Sequence, residues 1–359
     1  MNTIVLFTSN FKGGIVQLSV TLAEKLTRLG YEVTLFLPDT ADDVPAPVFT
    51  IERYRRFKNI LPNNTPSARV AARIAHKKPG LVVFCDEGII SAQTLCALKG
   101  RWRTVFVLHD VSPHPETLRL LDWLKQRFEL YSRKHALRAA GRVVLLSENS
   151  LRLFDRLYAP FADKALLMPL GAHLPDAAPK KPQELVQTGG YYLFFGRISR
   201  YKGIVNLLRA YDRVGEKLSV PLVVAGSGRL EPEEAERARQ NNSVFLINRF
   251  IEDGEMLWLV QNARAVVLPY IEASQSGVLP IAYAFGVPVI AADVAGLREV
   301  VVDGETGLIA RGDAALDDAL LRLQDDGLRT RLSQGARLFF EQHLNWEENL
   351  KSLLGGLKL

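Results

Sequence analysis

The feature that most constrains this chain is an alternation. Short apolar runs recur along its length, and stretches of helical periodicity separate them. In the first half the runs are Thr3–Thr8, Glu32–Leu37, Leu81–Cys85, Thr104–His109 and Arg142–Leu146. In the second half they are Tyr191–Phe195, Leu222–Ala225, Val244–Ile247, Ala265–Leu268 and Pro288–Ala291. Several are apolar throughout, as parallel strands covered on both faces require. Between the first two, Leu18, Leu22, Leu26 and Leu29 share one side of a helix that Gly30 is suited to end. A strand–loop–helix repeat of this kind predicts doubly wound α/β sheets.

The alternation breaks once. Leu174–Pro182 holds three prolines and no apolar period, and it reads as a linker. The 359 residues are too many for one small core. They are expected to form α/β domains over 1–175 and 185–342, with an amphipathic helix over 343–359. A composition of 48% hydrophobic and 23% charged residues excludes a largely disordered chain. No apolar run reaches the ~20 residues of a membrane-spanning helix. The opening Met1–Thr8 lacks the basic flank of a secretion signal, so the expected compartment is the cytoplasm. Cys85 and Cys96 cannot build a disulfide framework or a four-cysteine zinc site, and they read as small buried residues.

Charge is unevenly divided. Residues 1–180 carry a net +9 and residues 181–359 a net −3, which together make the +6 of the chain. Arg53, Arg55, Arg56 and Lys58 interleave with Tyr54 and Phe57, and Arg119, Lys125 and Arg127 lie among Leu120, Leu121, Trp123, Leu124 and Phe128. Basic residues mixed with large apolar ones suit the headgroup region of an anionic membrane leaflet. No segment resembles a nucleic-acid recognition helix or stacking surface, so no nucleic-acid partner is expected.

In open parallel sheets ligands bind beyond the carboxyl ends of the strands. Gly13-Gly14 follows the first strand and precedes a helix, where backbone N–H groups can meet an anion. The surrounding residues do not make Gly-x-Gly-x-x-Gly, which disfavours a dinucleotide-dependent dehydrogenase. His109-Asp110 follows the fourth strand. His114 lies near in sequence, but no further cluster completes a metal shell, and no metal is expected. The strongest segment is Gly196-Arg197-Ile198-Ser199-Arg200-Tyr201-Lys202-Gly203. Two cations in a strand-to-helix loop suit a diphosphate and can stabilise charge growing on a leaving phosphate. Gly226 and Gly228 end another strand and leave room for backbone to approach a base or phosphate. Pro269–Pro280 leads toward a helix expected at Ile281–Phe285, with Ser276, Gly277 and Val278 offering N–H groups.

In this order and spacing the motifs resemble those of glycosyltransferase family 4. To those above they add Ser147-Glu148, the Gly286–Ile290 strand entry, the Gly296…Glu299 turn, Asp303-Gly304…Thr306-Gly307 and the Trp346 helix. The resemblance implies the GT-B fold: two Rossmann-like domains facing across a cleft, with the C-terminal helix crossing back to the first. It implies a retaining transferase that uses a nucleotide-diphosphate sugar and needs no metal or other cofactor. The first domain would hold a glycan acceptor, through His109, Asp110, Ser147 and Glu148. The donor would lie against Gly13, Gly14, Arg197, Lys202, Gly226, Gly228, Arg249, Glu272, Ser276, Gly277 and Val278. His109, Arg197 and Lys202 would carry catalysis. Family members commonly place two glutamates at positions that here are Ala273 and Ile281, with Glu272 one place off the first. The resulting expectation is a peripheral membrane enzyme on the cytoplasmic face, extending a lipid-linked glycan in surface-polysaccharide assembly. The alternatives are a non-catalytic scaffold of a glycan assembly complex and a sugar-nucleotide epimerase.

Overall fold

The computed structural model describes residues 3–41, 44, 47–55, 65–98, 100–111, 120–186, 190–273 and 275–357, without the side chains of 65 and 120–126. The chain divides into two compact units, Met1–Pro169 with Trp346–Leu359, and Leu170–Asn345.

Among the described residues the first unit carries β1 (Thr3–Phe7), β2 (Glu32–Pro38), β3 (Thr50–Tyr54), β4 (Leu81–Phe84), β5 (Thr104–Leu108), β6 (Arg142–Leu145) and β7 (Ala165–Leu167). They form a parallel sheet in the order β3-β2-β1-β4-β5-β6-β7. Register aligns Phe36, Phe7, Phe84 and Phe106 on four neighbouring strands, and all four enter one apolar core. The other face is covered by the helices Gly14–Arg28 and Trp346–Gly356. Leu22 and Leu26 of the first, and Leu350, Leu353 and Leu354 of the second, line a small apolar cavity with Leu6, Val83 and Val107. Asn349 Nδ2 donates to Pro169 O at 3.0 Å. The C-terminal helix is therefore part of the first unit's core.

The second unit carries β8 (Tyr191–Phe195), β9 (Leu222–Ala225), β10 (Val244–Ile247), β11 (Ala263–Leu268), β12 (Val289–Ala292) and β13 (Gly307–Ala310), ordered β10-β9-β8-β11-β12-β13. All the strand pairings are again parallel. β8 reads Tyr-Tyr-Leu-Phe-Phe because it is buried on both faces. Tyr191 and Leu193 enter the core on one face, Tyr192 and Phe194 that on the other. Burial of two tyrosines is tolerable because each hydroxyl has an acceptor: Tyr191 donates to Leu259 O at 2.8 Å and Tyr192 to Leu320 O at 2.6 Å.

Four expectations need correction. Leu174–Pro182 is not a free linker: it belongs to the second unit, where Lys180 N donates to Gly254 O at 2.9 Å and Ala177 packs on the core. Cys96 is exposed, whereas Cys85 is buried and its thiol is pushed up to about 12 by desolvation. The helix expected at Ile281–Phe285 runs Val278–Ala284, because Pro280 falls in its first turn, where a missing N–H costs nothing. The Arg53-Tyr54 pair is not a membrane-facing pair. Tyr54 is buried, stacks on Phe7 at 5.2 Å and donates its hydroxyl to Thr8 O, while Arg53 donates to the carbonyls of Pro38 and Ala41. Arg55 is exposed. Arg56, Phe57, Lys58, His114 and Arg119 lie outside the described residues, as do the side chains of Leu120, Leu121, Trp123, Leu124 and Lys125.

Candidate active site

Strand order reverses direction at two places, between β1 and β4 in the first unit and between β8 and β11 in the second. At such a switch point the loops after the two strands diverge and leave a binding crevice.

In the second unit the loops after β8 and β11 meet. Ile271 N donates to Tyr201 O at 2.9 Å, and Val278 Cγ2 lies 3.6 Å from where a Cβ on Gly196 would sit. Gly203 makes the meeting possible. Its φ is +66°, and a Cβ there would fall 1.9 Å from Pro269 O. Arg197 is exposed and Lys202 half-buried, its Nζ 3.8 Å from the centre of the Tyr270 ring. Neither cation has a carboxylate partner among the described residues. Burial, with the neighbouring Arg197 charge adding to it, pushes the Lys202 amine down to about 7. Each loop also carries a buried polar atom without a hydrogen-bond partner among the described residues, Ser199 Oγ in one and Gln275 Oε1 in the other. Two uncompensated cations and two unsatisfied polar atoms are what a polar anionic ligand would complete.

The remaining donor-side expectations divide. Ser276 is buried, its hydroxyl 3.3 Å from that of Tyr270. Gly277 is exposed with open space beside it and Val278 begins the next helix, while Glu272 is half-buried in the same loop. Ile281 is core, packed where the family pattern has a glutamate. Gly226 and Gly228 approach backbone, not open space. A Cβ would fall 1.8 Å from Gly196 O at the first and 2.0 Å from Ile198 O at the second. Their spacing lets the loops after β8 and β9 continue the sheet, with Ile198 N donating to Ser227 O. Arg249 is a correction. Its five N–H donors are consumed by Glu184, Glu255 and the carbonyl of Phe250, which leaves none for a phosphate. These bonds hold the Glu184 carboxyl down at about 2.

In the first unit Gly13, at φ +85°, caps the helix Gly14–Arg28, and both glycines face open space. The loops after β1 and β4 are joined by Asp86, whose buried carboxylate accepts from Thr8 Oγ1, Ser9 N, Ser9 Oγ, Gly88 N and Ser91 Oγ at 2.6–2.9 Å. Beside it, Glu87 accepts from His109 N at 3.2 Å and Asp110 N at 3.3 Å. His109 Nε2 lies 2.8 Å from Cys85 O; a carbonyl only accepts, so Nε2 carries the proton. Ser147 caps the helix Glu148–Leu157 by accepting from Ser150 N, which gives it a structural task, and Glu148 is exposed in the first turn. No sequence motif marks Asp86 and Glu87. Their signal was position alone, directly after a buried strand. Among the described residues no group of three His, Cys, Asp or Glu side chains could hold a metal ion.

Two family descriptions match this chain in succession: "Glycosyltransferase Family 4" over residues 12–171 and "Glycosyl transferases group 1" over residues 189–326. The chain belongs to glycosyltransferase family 4. The transferase is 25% identical, over 95% of its length and 90% of the relative's, to a D-inositol 3-phosphate glycosyltransferase of Xylanimonas cellulosilytica. It is 35% identical over 35% of its length, and 34% of the relative's, to an alpha-maltose-1-phosphate synthase of Mycobacterium tuberculosis. Its fold is that of GT-B enzymes. Sucrose-phosphate synthase of Thermosynechococcus elongatus superposes with a TM-score of 0.77 at 20% identity, covering 100% of this chain and 98% of that one. The Anabaena protein HepE, solved with UDP and glucose, does so with a TM-score of 0.75 at 19% identity and 100% coverage of both chains. No helix among the described residues is long and apolar enough to cross a membrane.

Proposed function

We propose that the transferase takes a sugar from a nucleotide-diphosphate sugar, with retention of configuration, and that Arg197 and Lys202 hold the diphosphate. The observation that carries this is the pair of uncompensated cations at the β8/β11 switch point. As the sugar–phosphate bond breaks, negative charge grows on the leaving diphosphate, and fixed cations stabilise it most at that moment. The charge a metal would supply is then already present, so the reaction is proposed to be metal-free. Ser276, Gly277 and Val278 contribute backbone N–H groups on the donor side, and Gly13-Gly14 approach the donor phosphates. His109 positions the transferred sugar, with Asp110 and Glu148 on the acceptor side.

Lys202 makes donor binding pH-dependent. In the ligand-free protein its amine titrates at about 7, below its unfolded value, so it is largely neutral at higher pH. A bound diphosphate restores the charged form and takes up a proton. Affinity for UDP is therefore expected to fall with rising pH, by up to about tenfold per unit above about pH 7. Calorimetric titration across that range checks it, and a flat profile contradicts it. Lys202→Met should bind weakly and without the slope.

The acceptor is proposed to be a lipid-linked glycan at the cytoplasmic face of a membrane, in surface-polysaccharide assembly. The +9 on residues 1–180 supports an anionic acceptor and an anionic leaflet, each basic side chain near such a surface contributing about 1 kcal/mol. The names of the full-length relatives favour a second reading, a soluble phosphorylated polyol such as inositol 3-phosphate. Vesicle co-sedimentation separates the two. Under the first reading the protein pellets with anionic vesicles and not neutral ones, is released by salt, and loses binding when Arg55, Arg56 and Lys58 are neutralised together. Arg53 is left intact because it bonds the backbone beside β2. No recovery on anionic vesicles rules out the membrane reading.

A further inference from the structure

The mechanism above assigns no task to the loop after β4. That loop nevertheless makes three hydrogen bonds to His109 and Asp110. Glu87 Oε2 accepts from His109 N, Glu87 Oε1 accepts from Asp110 N, and Cys85 O accepts from His109 Nε2. The loop is in turn locked to the loop after β1 by the five hydrogen bonds of Asp86. One polar network therefore spans the carboxyl ends of three neighbouring strands, β1, β4 and β5, and ends on the imidazole. Nδ1 of His109 has no partner among the described residues.

We propose that Glu87 is a positioning residue for the transfer reaction: its two oxygens fix the backbone of residues 109 and 110, so that Cys85 O holds Nε2–H and Nδ1 is presented as an acceptor. This rests on the reading of His109 as the group that positions the transferred sugar. A neutral imidazole with its far nitrogen pinned offers one acceptor in a fixed direction, which suits a sugar hydroxyl. The titratable and charged groups that face Glu87 are His109 and Asp110 from the loop after β5 and Arg133 from the helix Leu120–Ala139. Arg133 is buried and donates to Val111 O, so it braces the same loop from behind. Burial pushes the Glu87 carboxyl up, while His109 and Arg133 oppose that shift. A carboxylate partly shielded from water and held to two N–H groups has little freedom to do anything but orient them.

The test uses the full chain labelled with ¹⁵N-histidine. His109→Gln identifies the His109 signals among those of the six histidines. In the unmodified protein at about pH 8 His109 should show the Nε2-protonated tautomer. Beyond that assignment the arm needs no activity, and the opposite tautomer overturns the proposal. Glu87→Gln places an amide NH₂ against a backbone N–H, so it should displace the His109 signals. It should also slow UDP-glucose hydrolysis by about tenfold or more, with UDP binding changed by less than about twofold. Glu87→Asp keeps the charge but loses reach, and should resemble Glu87→Gln. Unmoved His109 signals with lost turnover would mean that Glu87 acts on the substrate itself, and unmoved signals with full turnover would mean that it does nothing there; either overturns the proposal. His109→Ala separates the underlying reading. If that variant turns over normally, the assignment of His109 is wrong whatever Glu87 does to its spectrum.

Discussion

Replacing Arg197 or Lys202 with alanine is expected to lower sugar transfer by about 100-fold or more, the scale of losing one preorganised donor to developing charge, or about 2.7 kcal/mol. The fold should survive. Arg197 is exposed, and Lys202 is half-buried against the Tyr270 ring without a carboxylate partner among the described residues, so neither removal strands a buried counter-charge. The loss should fall mainly on turnover where the cation meets charge that grows in the transition state, and partly on donor affinity where it meets the resting diphosphate. Activity of the unmodified protein should persist in EDTA. Full activity in either variant would contradict the assignment, and loss of activity in EDTA restored by a divalent cation would contradict the metal-free proposal. Arg249→Ala offers a contrast. Its guanidinium binds Glu184 and Glu255, and Glu255 is buried. Its removal should cost stability before it costs catalysis.

Removing residues 346–359 is expected to unfold the first unit and spare the second. Trp346, Leu350, Leu353 and Leu354 are all buried in the helix Trp346–Gly356. Burying each contributes about 1.5–3 kcal/mol, so the helix accounts for a sum comparable with the whole stability of a domain, about 5–15 kcal/mol. Leu6, Val83 and Val107 of the central strands would lose their cover. Hydrogen exchange resolved by segment checks this: β1, β4 and β5 should lose protection while β8, β9 and β11 keep it. Equal protection in the two forms would mean that the helix does not belong to that core. The single change Leu350→Ala is expected to cost about 2–5 kcal/mol in the first unit alone.

The parts of this fold that were legible in the sequence are those buried on both faces. β1, β4, β5, β8 and β9 are short apolar runs because neighbours cover them above and below. β3 and β7 carry a weaker signal for a physical reason: they lie at sheet edges and are only partly buried. Thr50–Tyr54 reads Thr-Ile-Glu-Arg-Tyr because an edge strand can keep a Glu and an Arg at its margin, and Glu52 indeed pairs with Arg73 and Lys77. The same edge placement made Arg53 and Tyr54 resemble a membrane-binding pair, when their partners are carbonyls of neighbouring segments. Arg249 was misread because its partner Glu184 lies 65 positions away, and sequence spacing carries no information at that range. Arg197 and Lys202 can be placed together from the sequence because both sit in one short segment after a recognisable strand. Asp86 and Glu87 occupy an equivalent loop. An acidic pair there carries no signal of its own in the sequence, because its meaning comes from the loops it binds.

The central claim is that the β8 and β11 loops of the second unit bind the diphosphate of the donor. It is tested most directly by thermal denaturation of the full chain with UDP, GDP, ADP and TDP, in the unmodified protein and in the Arg197→Ala, Lys202→Ala double variant. A ligand that binds only the folded state stabilises it by about 2.7 kcal/mol at 100 times its dissociation constant. At least one of the four nucleotides should raise the midpoint of the unmodified protein and leave that of the double variant where it was. A rise of equal size in both proteins, or in neither, would contradict the site.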